Sequence, residues 1–204
     1  MALAQMTLAR NIVAMRNFLI QSFLVMILPL SAQAEPRFAV FGGILTDNPW
    51  EDVLLMPWRK KPQRLGLYGL AIEHPVGPEI WSRLGHVRFG VEAQLVRHEG
   101  LQRHWEVNLP LTVRLDPERR VLGVFDTFAF GIGPSFASRT PSFETKRGSG
   151  KAARNLVYWY LEAERRLSDN ASIFGRLHHR SDAYGLVGPG ASSNALVAGY
   201  RWGF

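Results

Sequence analysis

Alternation of apolar and polar side chains is the feature that most constrains how this chain folds. In the stretch HVRFGVEAQL, which begins at His86, the alternate positions from Val87 to Leu95 are apolar, and those between them are polar or glycine. Successive side chains of a β-strand point to opposite faces, so this period of two predicts a strand with one apolar and one polar face. Residues 104–113 and 157–164 repeat the pattern.

Segments of this kind follow one another along most of the chain, separated by turns rich in glycine, proline and polar residues. Such a succession indicates an all-β chain whose neighbouring strands run antiparallel. The eight predicted strands are residues 37–46, 65–74, 86–97, 102–113, 121–137, 154–167, 170–181 and 193–204.

The first 34 residues have the composition of an export signal. They carry Arg10 and Arg16, no acidic residue, an apolar run from Phe18 to Leu30, and small residues before Ala34. This pattern predicts a secretory signal peptide over residues 1–34, cleaved after Ala34, and a single domain over residues 35–204. The apolar run is shorter than the roughly 20 residues of a membrane-spanning helix.

Export and strand length together favour a membrane barrel. The chain has no cysteine and therefore no disulfide framework. Strands of about 9–11 tilted residues cross a bilayer, and eight is a permitted number for outer-membrane barrels. Residues 195–204 also alternate and end on Phe204, which resembles the signal by which such barrels are recognised for assembly. We predict an eight-stranded antiparallel transmembrane β-barrel in the bacterial outer membrane; the alternative is a soluble barrel whose apolar face points inward.

With both termini in the periplasm, the odd-numbered connections of such a barrel face the outside. The predicted outer connections are residues 47–64, 98–101, 138–153 and 182–192, and the inner ones are 75–85, 114–120 and 168–169. The first and third outer connections are strongly basic, and Arg and Lys are natural phosphate ligands. They are either solvated loop tips or contacts for lipid phosphates, through Arg59, Lys60, Lys61, Lys146, Arg147 and Lys151.

The seventh predicted strand carries the candidate catalytic residues. Its odd-numbered face is apolar until His179 and Ser181. Two residues apart on one strand, these side chains share a face and lie about 6.6 Å apart along it. A histidine base within reach of a serine hydroxyl can generate a nucleophile. The simpler interpretation is a polar rim at the end of a barrel strand.

The His-x-Ser pattern at residues 179–181 resembles the motif of the lipid A 3-O-deacylases, which are outer-membrane esterases. Residues 104–106, 130–135 and 158–159 also resemble members of this group of acyl hydrolases. The resemblance implies that Ser181 is the nucleophile and His179 the general base. It further implies that the substrate is the 3-linked hydroxyacyl ester of lipid A, and that no cofactor or metal is needed.

The chain departs from the family pattern at two positions. The family has Asn-Ala after the serine, where the Asn helps to form the oxyanion hole, and this chain has Asp182 and Ala183. A carboxylate there opposes the developing oxyanion unless it is protonated or turned away. The family also has a glutamate on the last strand that orients the histidine, and Asn194 lies near that place. Asn194 can orient an imidazole but cannot stabilise imidazolium as a carboxylate does, so Asp182 is the other candidate.

Two other groups of residues have structural interpretations. A metal site at His178, His179 and Asp182 is disfavoured because adjacent strand residues point to opposite faces. The polar face of the strands is expected to fill the narrow lumen with paired charges rather than form a pore. The expected members are Arg88, Glu92, Glu106, Glu162, Glu164 and Arg176.

The sequence therefore predicts an outer-membrane esterase that acts on lipid A in the outer leaflet. Nucleic acid is not an expected partner, because the net charge of +7 is modest and divided among loops. Two alternatives stay open: a catalytically silent barrel that binds lipopolysaccharide, and a small adhesin or resistance barrel that acts through its loops. The absent glutamate favours the first alternative, and the long loops favour the second.

Overall fold

The computed structural model describes residues 35–55, 62–100, 102–147, 152–187 and 192–203. The predicted signal peptide, residues 1–34, lies outside the described residues. The strands are β1 (Arg37–Thr46), β2 (Pro62–Pro75), β3 (Ile80–Ser82), β4 (Gly85–Gly100), β5 (His104–Asn108), β6 (Leu111–Pro117), β7 (Thr127–Ala137), β8 (Asn155–Arg166), β9 (Ala171–Ser181) and β10 (Ser192–Gly203). The helices are α1 (Trp50–Leu55) and α2 (Ser142–Arg147). Among the described residues, no helix is long and apolar enough to cross a membrane.

The strands close into a barrel. β1 pairs antiparallel with both β2 and β10, and the pairing with β10 runs from Arg37 opposite Gly203 to Thr46 opposite Asn194. β2 pairs with β4, while β5 and β6 together fill the place between β4 and β7. β7, β8, β9 and β10 follow in order, each antiparallel to the next. The predicted fold class, an eight-stranded antiparallel β-barrel, is confirmed.

The fourth barrel strand is interrupted at Pro110, between β5 and β6. Proline has no backbone N–H to contribute to the sheet. The Leu109 N–H donates to the Pro134 carbonyl over 3.1 Å, and the Pro110 carbonyl accepts from Glu92 over 2.9 Å. A Cβ at Gly133 would overlap the Leu109 carbonyl, so glycine permits this close approach. The barrel wall therefore continues through the interruption.

The boundaries of the fourth and fifth barrel strands differ from the prediction. β6 extends to Pro117 and β7 starts only at Thr127, so the connection is 118–126 rather than 114–120. Residues 121–125 are apolar enough to resemble a strand, but they form a turn closed by a bridge between Val121 and Phe125. Leu122 and Gly123 adopt φ angles of 54° and 70° in this turn, which a strand does not allow.

The apolar face of the strands points outward. On β4, Phe89 and Leu95 are exposed, whereas Glu92 and Gln94 are buried in the lumen. The same alternation holds for Trp105 on β5 and its buried neighbours. This orientation is that of a transmembrane barrel, and it is the reverse of the soluble alternative.

A network of paired charges fills the middle of the lumen. Arg176 lies 3.0 Å from Glu92 and 2.7 Å from Glu162, and its guanidinium stacks over Tyr160. The network consists of Arg37, Glu73, Glu92, Arg114, Glu162, Glu164, Arg176 and Arg201. Two residues expected in this network pair elsewhere. Arg88, which is only half-buried, lies 2.7 Å from Asp116, and Glu106 lies 3.0 Å from His98. Each buried charge in the network has a partner of opposite sign, as burial requires.

The two ends of the barrel differ. At one end, which we call the terminal end, lie the start of β1, the end of β10 and the connections that precede β4, β7 and β9. The loop end carries the connections that include α1 and α2, and the connections that follow β4 and β9. At this end the Arg180 guanidinium donates to both oxygens of Glu144 on α2 over 2.7 Å, and the Ser193 hydroxyl donates to Glu144 over 2.9 Å. Burial raises the pKa of Glu144 above its usual value, and the charge of Arg180 limits the rise.

Candidate active site on the barrel wall

His179 lies on the outer wall of β9 between side chains of the two neighbouring strands. The strand register places it opposite Asn194 on β10 and opposite Trp159 on β8. Directly opposed residues of an antiparallel pair are close enough for their side chains to touch. The Nδ1 of His179 lies 2.5 Å from the Oδ1 of Asn194, and its ring lies 4.5 Å from the Trp159 ring.

The hydrogen bonds around Asn194 define the proton position on His179. The Nδ2 of Asn194 donates to the Asn48 carbonyl over 2.8 Å, which turns Oδ1 of the same amide toward His179. Because Oδ1 can only accept, Nδ1 of His179 carries the proton and Nε2 is left as a base. Asn194 therefore selects the tautomer that a general base requires.

The turn after β1 holds the Asn48 carbonyl in place. The Thr46 hydroxyl donates to the Asn48 side chain over 2.9 Å and accepts the Asn48 backbone N–H over 3.2 Å. Side-chain oxygens that bond the backbone two residues away are typical of such turns. Asn48 was not among the residues predicted from the sequence. The Thr-x-Asn spacing indicates a turn, but it does not indicate the contact with β10.

Helix α1 lies against the outer wall of β9 and shields His179. Trp50 packs edge-on against Trp159, with ring centroids 5.4 Å apart, and Val53 of the same helix is buried. His179 is consequently only 6% exposed although it belongs to the outer face. Helix α1 was not predicted, because six residues are too few to show a helical period. Glu51 and Asp52 lie in its first turn, where negative charge suits a helix.

Ser181 is the last residue of β9, on the same face as His179. It is half-buried and lies opposite Val157 and Ser192. A tight turn follows at once, in which the Asp182 carbonyl accepts from Val187 over 3.1 Å. Ala183 and Tyr184 adopt φ angles of 50° and 59°, a conformation that costs energy for residues other than glycine. The candidate nucleophile thus lies at the junction of a regular strand and a strained turn.

Two lumen glutamates and six basic loop residues were also named from the sequence. Glu162 and Glu164 point into the lumen, as expected, and pair with arginines there. Lys146 and Arg147 belong to α2, whose Glu144 is tied to the barrel. Arg59, Lys60, Lys61 and Lys151 lie outside the described residues.

An apolar groove of about 740 Å³ runs along the outer wall from Leu177, the next residue of this face before His179. It lies between β1, β7, β8, β9, β10 and the end of α1. Its outward-facing side chains are Ile44, Leu54, Phe128, Leu161, Ala163, Leu177, Leu196 and Ala198. Gly175 is part of its floor, and a Cβ at that position would meet no atom within 4 Å. The groove has the apolar lining that a hydrocarbon chain requires.

Comparison with solved structures identifies barrels of similar fold. The outer membrane enzyme PagL superposes with a TM-score of 0.61 at 13% sequence identity, covering 82% of this chain and 99% of that chain. Neisserial surface protein A has a TM-score of 0.44 at 9% identity, covering 83% of this chain and 96% of that chain. No family model matches the chain, and no curated protein matches it. The chain therefore shares the barrel fold of the outer membrane enzyme PagL.

Proposed function

We propose that this barrel is a serine esterase of the outer membrane that removes the 3-O-linked hydroxyacyl chain of lipid A. The observation that carries the proposal is the hydrogen-bonded series from the Asn48 carbonyl through Asn194 to Nδ1 of His179. In the neutral ring it makes Nε2 of His179 the proton-accepting nitrogen, on the face that also carries Ser181. A structural polar rim does not require one imidazole tautomer to be selected in this way.

In the proposed reaction, Nε2 of His179 takes the proton of the Ser181 hydroxyl as its oxygen attacks the ester carbonyl. The tetrahedral intermediate collapses when His179 returns the proton to the departing sugar oxygen. Water, deprotonated by His179, then hydrolyses the acyl-enzyme and releases the fatty acid. Asn194 orients the ring throughout but adds no charge, so the imidazolium is less stabilised than beside a carboxylate. Asp182 is the nearest acid in sequence to take that role.

The surroundings of His179 suit a lipid substrate. The apolar groove begins at Leu177, so an acyl chain lying in it brings its ester end toward His179. The outward apolar face supports a position of this groove in the hydrocarbon region of a membrane. We further propose that Arg59, Lys60, Lys61, Lys146, Arg147 and Lys151 in the outer loops bind the phosphates of lipid A. We also propose that the protein lies in the outer membrane, because its apolar face points outward and residues 1–34 are predicted to be a signal peptide.

Mass spectrometry of lipid A tests the proposal. Cells that produce the wild-type chain should lose one 3-linked hydroxyacyl group from lipid A, and cells that produce Ser181→Ala should lose none. Ser168→Ala is the matched control, because Ser168 lies in the turn between β8 and β9 at the opposite end of the barrel. Deacylation by Ser181→Ala, or intact lipid A beside a wild-type barrel that is folded in the membrane, contradicts the proposal.

A second candidate function is a catalytically silent barrel that binds lipopolysaccharide. The observation in its favour is the pair of departures at Asp182 and Asn194, which weaken the oxyanion site and the support of His179. Intact lipid A from wild-type cells, with lipopolysaccharide retained by the purified barrel, supports this candidate over the esterase.

A further inference from the structure

Three histidines surround one buried carboxylate inside the loop end of the barrel. The Nε2 of His98 lies 3.0 Å from one oxygen of Glu106, and the Nε2 of His178 lies 3.1 Å from the other. The His104 ring stacks on His98 with centroids 4.2 Å apart. We call His98, His104, Glu106 and His178 the histidine cluster. It lies in the lumen, on the other side of the wall from His179.

Two buried ring nitrogens of the cluster lack a hydrogen-bond partner among the described residues. His104 and His178 are each at most 3% exposed. The Nε2 of His104 and the Nδ1 of His178 nevertheless have no hydrogen-bond partner among the described residues. Buried polar atoms are almost always paired, so such exceptions indicate an additional ligand or a strained site.

The charge around Glu106 is also incomplete. Its carboxylate accepts hydrogen bonds from His98, His178 and Asn108, which carry no fixed positive charge. The nearest guanidinium nitrogen of the described chain, Nε of Arg180, is 3.9 Å away. Arg180 is already paired with both oxygens of Glu144. A carboxylate buried to this degree needs a compensating cation, which is either a protonated histidine or a bound ion.

We propose that the histidine cluster binds a divalent transition-metal ion of the Zn²⁺ class, with His98, His104 and Glu106 as ligands and His178 completing four coordination. One ligand atom from each of the first three residues lies within 4.8 Å of the others. Imidazole nitrogen and carboxylate oxygen are ligands that Zn²⁺ prefers, at about 2.0–2.2 Å. These ligand atoms must therefore move closer together around the ion, and His178 joins them through its 3.1 Å contact with Glu106. The pair His178 and His179, considered from the sequence, is not this site, because only His178 faces it.

Ion binding requires one ring to turn. The His98 and His104 rings are 9° from parallel, and an imidazole binds a metal in its own plane, so stacked rings cannot both point at one ion. The Nε2 of His104 has no hydrogen bond that resists the rotation. The ion also takes the place of the proton between Nε2 of His98 and Glu106, and the neutral His98 ring then carries its proton on Nδ1.

Metal titration of the folded full chain in detergent tests the proposal. After treatment with a chelator, the wild-type protein should bind one Zn²⁺ per chain by calorimetry, with a rise in its unfolding temperature. Co²⁺ in place of Zn²⁺ should develop the visible absorption of a four-coordinate ion. A wild-type protein that binds neither ion overturns the proposal.

His104→Phe is the informative variant because it keeps the stacked ring and removes the ligand. Losing a residue that only hydrogen-bonds a metal ligand lowers metal affinity roughly 10–100-fold. Because His104 is itself a ligand, we expect the Zn²⁺ affinity of the variant to fall by at least this much. His86→Phe is the matched control, since His86 also stacks on a ring, that of Trp81, and lies 3.0 Å from the Glu79 carboxylate. If His104→Phe lacks the mobility of the folded barrel on an unboiled gel, His104→Gln replaces it. Equal affinity in wild type and the His104 variant overturns the proposal.

Discussion

The chemistry proposed for the barrel wall depends on the tautomer of one imidazole. Asn194 accepts from His179 and donates to the Asn48 carbonyl, so neither atom of its amide can be exchanged for the other. Aspartate at this position can accept from His179 but cannot donate to Asn48. Asn194 therefore makes two hydrogen bonds that a carboxylate at this position could not make together.

Removal of the Asn194 amide tests this role. We expect Asn194→Ala to lower kcat on the order of 100-fold with little change in KM, because the base loses its orientation while substrate contacts stay intact. Asn194→Asp, which keeps the acceptor, should retain more activity than Asn194→Ala. The measurement is ester hydrolysis by purified barrels that show the folded mobility on an unboiled gel. Equal losses in both variants indicate a structural role.

The sequence correctly predicted which face of its strand a residue lies on, because side chains of a strand alternate between two faces. The period of two places His179 with Leu177 on the outer face and Glu162 in the lumen, and the structure has both positions. This alternation does not show which residues of neighbouring strands lie opposite each other. The contact of His179 with Asn194, and that of Asn194 with Asn48, depend on pairing across β10 and on a turn 146 residues away from Asn194.

At the scale of elements, α1 and β9 together form one end of the apolar groove. Leu54 at the end of α1 and Leu177 on β9 both line it. Leu177 is almost fully buried, although it belongs to the lipid-facing side of its strand. The short helix thus covers one end of the groove on the barrel wall.

Filling the groove should discriminate between substrates by chain length. Gly175→Leu adds a side chain where a Cβ meets no neighbour, so the strand should keep its fold. We expect hydrolysis of long-chain esters to fall roughly 10-fold or more, with short-chain esters unaffected, because only a long chain occupies the groove. Ile173→Phe, on the same face but outside the groove, is the control. A uniform effect on both ester lengths contradicts this use of the groove.

The sequence did not correctly predict elements that are too short to show a repeating pattern of apolar residues. Helix α1 has six residues, and the turn at 121–125 has the apolar composition of a strand. The helix depends on a tertiary contact, the packing of Trp50 on Trp159, and the turn depends on the left-handed backbone at Leu122. Local propensity does not contain that information.

For the whole molecule, the interior combines the charged lumen network with an apolar cluster that includes Phe41, Val96 and Phe174. Arg176, Arg201 and Arg114 each contact more than one carboxylate. Such a network is costly to bury but also costly to break, because each removed partner leaves charges without compensation.

Loss of a central arginine should therefore destabilise the whole barrel. Arg176→Ala leaves Glu92 and Glu162 partly unpaired, and we expect a loss of about 3–5 kcal/mol in the free energy of unfolding. Arg103→Ala, which removes an exposed pair with Glu99, should have a much smaller effect. Denaturant unfolding in detergent, followed by tryptophan fluorescence, measures both values. Similar small losses in the two variants would show that the lumen network does not hold the barrel together.

The position of the groove on the outside of a filled barrel has a consequence for how a ligand arrives. A lipid that enters it comes sideways, by diffusion within a leaflet, and never passes through the surrounding water. Its encounter rate is set by a two-dimensional density, the mole fraction of that lipid among its neighbours. A molecule built this way responds to the make-up of the membrane in which it lies, even when the bulk amount of its ligand is unchanged.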